Sequence, residues 1–220
     1  MMSGTSMTDL TAARNTMVSN QLRTYDVLDF KVLNAFEMVP REAFVAESEA
    51  ALAYLDREVL ARGGKTRLLT PMVLARMVQS LEVLPGETAL DVNGSGYGAA
   101  ILAACGARVT ALETDADGAS AALKAAGVSG VEVISGEAGA GAPGKGPFNV
   151  ILVHGAAEVE PEALLDQLAD RGRLMIVMGR GRSGRAMLFR KVGNSASGVR
   201  VIDAAAPAIS SLARASEFAF

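Results

Sequence analysis

Two carboxylates and a run of small residues carry the chemistry that this sequence offers most directly. Asp91-Val-Asn-Gly-Ser-Gly-Tyr97 lies between an apolar run, Thr88 to Val92, and a helix-like run from about Tyr97 to Cys105. Gly94 and Gly96 lack a Cβ and can take positive φ, so a turn built on them lets the backbone approach a ligand closely. The following helix start offers unpaired N–H groups to polar or anionic parts of a nucleotide-like molecule. Asn93 and Ser95 complete the turn. Glu113 ends a second apolar run, where a carboxylate can accept both hydroxyls of a ribose. This is chemistry for holding a nucleoside. It does not say which one: Gly94-x-Gly96-x-x-Ala99 also satisfies a dinucleotide fingerprint, which leaves an NAD-dependent oxidoreductase as an alternative. Against that alternative, the turn stands behind a long helical segment, and no second substrate domain follows it.

The elements that must position these residues form a regular series. Thr88–Val92, Arg108–Glu113, Val131–Ile134, Phe148–Val153 and Gly172–Met178 read as strands, with helices over Asp115–Ala126 and Pro161–Leu168 between them. Alternation of this kind predicts an α/β fold with a mostly parallel central sheet. Phe148–Val153 is almost wholly apolar, as a strand covered on both faces must be. Arg185–Val192, Val199–Ile202 and Phe218–Phe220 read as further strands. Upstream, a helix is expected over Thr11–Leu22, a second capped by Asp29 and stopped by Pro40, and a third over Pro71–Leu81 with proline in its first turn. Gly63-Gly64 marks a hinge. The chain therefore divides into a disordered leader (1–10), an N-terminal helical cap (11–80) and an integrated α/β core (81–220).

Composition narrows the functional classes. The chain has 220 residues, a formal charge of −3, one cysteine and one histidine. Near-neutrality argues against a nucleic-acid partner. No apolar run approaches the ~18 residues that span a bilayer, which argues against a membrane partner. A single Cys105 allows no internal disulfide and fits a reducing cytoplasm. His154 follows the fourth strand, at the sheet end where ligands bind; without a second His or Cys nearby it makes no metal site, and it reads as a residue lining the pocket or as a structural one. Arg171, Arg173, Arg180, Arg182, Arg185 and Arg190 form either a basic rim for acidic peptides or ordinary solvated surface.

Longer motifs are more specific than the turn. Arg14-x-x-Met17-Val18-x-x-Gln21-Leu22, Asp29-x-x-Val32-Leu33, Val39-Pro-Arg-Glu-Ala-Phe-Val45, Ala53-Tyr-x-Asp56 and Leu84-Pro-Gly86 occur in this order. Pro147–Val153 and Pro161-x-x-Leu164-x-x-Gln167-Leu168 through Gly172-Arg-Leu174 follow. In these the chain resembles the protein-L-isoaspartate O-methyltransferase family over roughly residues 12 to 190. The resemblance implies a Rossmann-like methyltransferase fold and S-adenosylmethionine as methyl donor. It implies a cytoplasmic monomer or weak dimer whose substrate is the free carboxylate of an isoaspartyl residue in a damaged protein. It also implies donor contacts from Asp91, Asn93, Gly94, Ser95, Gly96, Tyr97, Glu113, Glu137, Ala138 and His154.

Departures from the family pattern fall at the site itself. The turn is one residue shorter than the family's Gly-x-Gly-x-Gly-Tyr, with Asn93 at the first glycine. Gly-Asp-Gly after the third strand becomes Gly136-Glu137-Ala138, and Asn149 stands for an aspartate. The family's Thr-x-Ser-x-Pro segment places its serine on Leu69 and its threonine on Arg67. Thr70 could supply the missing hydroxyl, and Arg67 could grip the substrate carboxylate or be an ordinary solvated loop arginine. A diverged, catalytically weak relative serving as a binding module is therefore the second reading.

Overall fold

The structure, a computed structural model, describes residues 7–214. The cap comprises α1 (Met7–Met17), α2 (Phe30–Met38), a two-stranded hairpin of β1 (Val59–Leu60) and β2 (Arg67–Leu68), and α3 (Pro71–Leu81). The core follows as β3 (Thr88–Val92), α4 (Tyr97–Ala104), β4 (Arg108–Glu113), α5 (Ala116–Ala125), β5 (Glu132–Ser135), β6 (Phe148–Ala157), α6 (Glu162–Asp166), β7 (Leu168–Met178), β8 (Arg185–Val192) and β9 (Ser195–Asp203). Its seven strands run in the order β5-β4-β3-β6-β7-β8-β9. The pairings from β5 to β7 are parallel, and β8 and β9 are antiparallel. The fold is the expected α/β one. Because β4 lies on one side of β3 and β6 on the other, the order reverses at β3. A crevice opens at such a switch point, outside the carboxyl ends of the strands.

Local signals account for the helices. Asp29 accepts from the Lys31 and Val32 amides at the start of α2, and Pro71 occupies the first turn of α3, whose Leu74, Ala75, Met77, Val78 and Leu81 are buried. Two expectations change. The first helix starts at Met7, inside the stretch expected to be a leader, and ends at Met17; the chain then widens into a π-helical turn over Val18–Leu22. Ser19 and Thr24 there donate to the Asn15 and Asn20 carbonyls, a back-bonding that loosens a helix. The helix expected over Pro161–Leu168 stops at Asp166, because Leu168 already pairs with Phe148 in the sheet. The strand expected at Phe218–Phe220, like residues 1–6 of the leader, lies outside the described residues.

Apolar side chains fill both faces of the sheet. Leu90, Val92, Leu112, Ile151 and Val153 point to one face, and Ala89, Ala111, Val150 and Leu152 point to the other, beneath the cap and α4. Asn149, at the start of β6, accepts from the Thr88 amide and hydroxyl at 3.0 and 2.9 Å. An amide oxygen suffices there, which explains why an aspartate is dispensable at this end of the sheet.

Candidate functional site

The sheet's period of two selects which side chains meet. Asp91 pairs in register with Ala111 and Leu152, all on the cap-facing side, so Glu113 and His154, each two residues further on, share that side with it. The structure brings all three to the turn. Asp91 is fully buried, and its Oδ1 lies 2.7 Å from His154 Nε2; His154 is itself 4% exposed. Glu113, 1% exposed, accepts the Gly96 amide at 2.9 Å. Burial first, and the adjacent Asp91 charge second, push the Glu113 carboxyl up to about 8. Asn93 and Ser95 adopt positive φ of 57° and 52°, and Gly96 81°. Asparagine tolerates that conformation through local hydrogen bonding, but Ser95 carries strain that its surroundings must hold. One surrounding group is evident: Ser95 Oγ and Thr66 Oγ1 are 2.5 Å apart, tying the tip of the β1–β2 hairpin to the turn.

A cavity of about 210 Å³ opens beside the turn, lined by Lys65, Thr66, Arg67, Asn93, His154 and the segment Pro207–Ile209. The last segment is placed by a parallel bridge between Ala156 and Ala208 and by the Ala156 amide bonding the Pro207 carbonyl at 2.7 Å. Two buried acceptors at this end of β3, Asp91 Oδ2 and Asn93 Oδ1, have no hydrogen-bond partner. The turn thus offers unpaired acceptors beside a cavity whose lining also holds donors on Lys65, Thr66 and Arg67. Chemically, it suits a cationic or N–H-bearing ligand.

Several sequence expectations are displaced. Tyr97 does not face the cavity. It is fully buried between cap and core, its ring 5.3 Å from Phe44 and 6.1 Å from Phe36, with the Arg41 guanidinium 4.9 Å above it. An aromatic side chain in the first turn of α4 packs onto the cap because that is where the apolar surface is. Ala138 is buried in the cluster on the sheet's far face, and Glu137 is exposed on the loop after β5; neither lines the cavity beside Asn93. The hydroxyl of Thr70 caps α3, accepting from the Val73 amide, so it is not turned to a substrate. Arg67 borders the cavity, but its guanidinium lies 3.6 Å from Glu49 and 3.9 Å from Glu58 and donates to the Glu58 carbonyl. Leu69 is fully buried and offers no hydroxyl. Gly94 and Gly96 are where the turn requires them.

Of the C-terminal arginines, one is a buried structural group and three are exposed surface partners of carboxylates. Arg173 is buried, bonding the Leu81 and Glu82 carbonyls and the Glu87 carboxylate; Arg180, Arg185 and Arg190 pair with Glu158, Asp203 and Glu82. Sequence reasoning missed Thr66 and Pro207–Ile209. Thr66 adjoins Arg67 and could have been found; for Pro207–Ile209 there was no signal, because sheet closure alone brings them over β6.

The family model for Protein-L-isoaspartate(D-aspartate) O-methyltransferase (PCMT) matches residues 13–206. A protein-L-isoaspartate O-methyltransferase of Methylorubrum populi is 42% identical over 177 residues, covering 79% of this chain and 82% of that one. One from Methylorubrum extorquens is 41% identical over 175 residues, 78% of this chain and 76% of that one. Among solved structures, a Plasmodium falciparum protein described as belonging to the same enzyme class, in complex with S-adenosyl-L-homocysteine, superposes with a TM-score of 0.76. It is 20% identical and the match covers 90% of this chain and 98% of that one, so it bears on the fold alone.

Proposed function

Because the chain belongs to the protein-L-isoaspartate O-methyltransferase family, we propose that it methylates the free carboxylate of isoaspartyl residues in damaged proteins, with S-adenosylmethionine as donor. Membership also removes the NAD-dependent alternative, which rested on the glycine spacing by itself. The observation that carries the reading is the family match through cap and core together with the three polar side chains gathered at the sheet's switch point. A monomer or weak dimer is part of the same proposal. No helix among the described residues is long and apolar enough to cross a membrane. A cytoplasmic location is part of the same proposal, supported by the lone, buried Cys105.

The residues present fit the donor on the chemistry of their acceptors. Asp91 Oδ2 and Asn93 Oδ1, buried and unpartnered, suit an ammonium group, and Glu113 stands at the strand end where ribose hydroxyls are accepted. When bound, the donor supplies an electrophilic methyl on a sulfonium. The chain's own share is binding, orientation and exclusion of water. An isoaspartyl carboxylate with a pKa of roughly 4 is already ionised at neutral pH, so no general base is required. The hairpin tip at Lys65–Arg67 and the Pro207–Ile209 segment line the cavity beside the turn and would shield a bound donor there from water.

Methyl incorporation into an isoaspartyl peptide, compared with its normal aspartyl isomer, tests the proposal. Transfer to the first and not the second is expected; equal or absent transfer would refute it. The second reading, a weak relative acting as a binding module, draws on Leu69, whose burial leaves the substrate segment without its hydroxyl. Donor binding without turnover would favour it.

A further inference from the structure

His154 is the buried titratable side chain beside the turn that the proposed reaction leaves without a task. Its contact with Asp91 is built into the backbone of two other elements. A Cβ on Gly98 would collide with His154 Nε2 and Asp91 Oδ1, and one on Gly94 would collide with Asp91 Oδ2 and lie 2.9 Å from His154 Nε2. Gly98 is in the first turn of α4 and is not among the glycines of positive φ. Alanine would favour such a helix by ~1 kcal/mol, so what glycine provides there is room for the imidazole and the carboxylate. The histidine holds Asp91 by Oδ1 only, and Oδ2 stays buried without a partner. The other charged groups around the cavity have their own partners: Lys65 lies 3.1 Å from Asp115, Arg67 is near Glu49 and Glu58, and Glu113 accepts the Gly96 amide. None of them is bonded to Asp91 Oδ2.

We propose that His154 is a positioning residue of the donor site, fixing the Asp91 carboxylate by one oxygen so that the other is presented to the cationic amino end of the donor. The inference rests on the donor reading above. Its effect is on binding: a carboxylate free to rotate would offer its acceptor in many directions, whereas a clamped one offers it in one. Because the donor contact is made by Asp91, His154 need not touch the reacting atoms.

The chain contains a single histidine, so 15N NMR of the imidazole reads His154 directly. The experiment titrates S-adenosylhomocysteine into the wild type, His154→Ala and His154→Gln, following calorimetric affinity, the ring signals of the wild type and the melting temperature of each. Ligand addition is expected to shift the ring signals. His154→Ala should weaken binding roughly tenfold or more, the scale of a hydrogen bond to a charged group. His154→Gln, whose amide can still donate to Asp91, should recover most of it, which a merely space-filling role would not predict. Calorimetric binding with unmoved ring signals, or wild-type affinity in a folded His154→Ala, would overturn the inference and leave the donor reading intact. Failure of the wild type to bind would overturn both. Should His154→Ala not fold, the ring signals and the glutamine variant decide.

Discussion

The cap and the glycine turn both bury charge, and they do so in opposite ways. In the cap, Arg41 is fully buried and donates through Nε to the Ala53 carbonyl at 2.8 Å and through Nη2 to the Leu69 carbonyl at 2.7 Å. Burial pulls its guanidinium below the ordinary value, against the opposing influence of Tyr97. A donor-rich group there closes backbone carbonyls of the loop leading to α3. At the turn, the buried groups are acceptors: Asp91, Asn93 and Glu113, with one histidine among them. The chain's own backbone takes two of Arg41's nitrogens and leaves Nη1 without a partner under the cap, whereas the turn leaves the acceptors Asp91 Oδ2 and Asn93 Oδ1 unpartnered at the sheet's switch point. What separates the two is place: Arg41 lies fully buried against Tyr97, whereas Asn93 and His154 line an open cavity.

The largest expected effect breaks the cap side of this contrast. Arg41→Ala leaves two buried carbonyls unpaired and removes the cation over Tyr97; a loss of about 3 kcal/mol or more is expected in urea unfolding. Leu69→Ser comes next. It places the family's serine at a fully buried position, and should cost about 2–4 kcal/mol without raising kcat on an isoaspartyl peptide. A gain in turnover would show that the loop can reopen to present that hydroxyl.

On the turn side, Glu113→Gln should weaken S-adenosylhomocysteine binding roughly 2- to 10-fold by calorimetry at neutral pH, the range for a hydrogen bond between neutral groups, because burial keeps the carboxyl protonated there. The same variant tests the buried acid through pH. The folded-state value of about 8 stands above the ordinary 4.5, so the folded protein binds the extra proton between them. Glu113 therefore contributes its full stability below about pH 4.5 and loses it as pH rises to about 8. Thermal melts from pH 5 to 8 should show a decline that Glu113→Gln flattens. The smallest effect is Thr70→Ala, which removes a helix cap: about 1 kcal/mol of stability, with the donor KM unchanged. A rise in KM would return Thr70 to the site.

The cap motifs and the alternation of strands and helices were legible because they obey local rules. Asp29 caps α2, Pro71 starts α3, and apolar β6 had to lie inside a parallel sheet. The site was legible only in part. Asp91, Asn93, Glu113 and His154 were each picked out, but nothing in the sequence pairs residues 91 and 154. The side chains of Tyr97 and Ala138 lie outside the cavity, because a residue's place in a motif does not say which way its side chain points.

Sequence by itself determined the family, the fold class and the residue types at the turn, since each depends on spacing along one chain. Tertiary structure alone decided which of those residues meet. Parallel register sets β6 beside β3, the period of two turns Asp91, Glu113 and His154 to one face, and Gly94 and Gly98 leave the space in which carboxylate and imidazole join. Such contacts arise from the packing of strands distant in sequence, and local sequence rules carry no record of them.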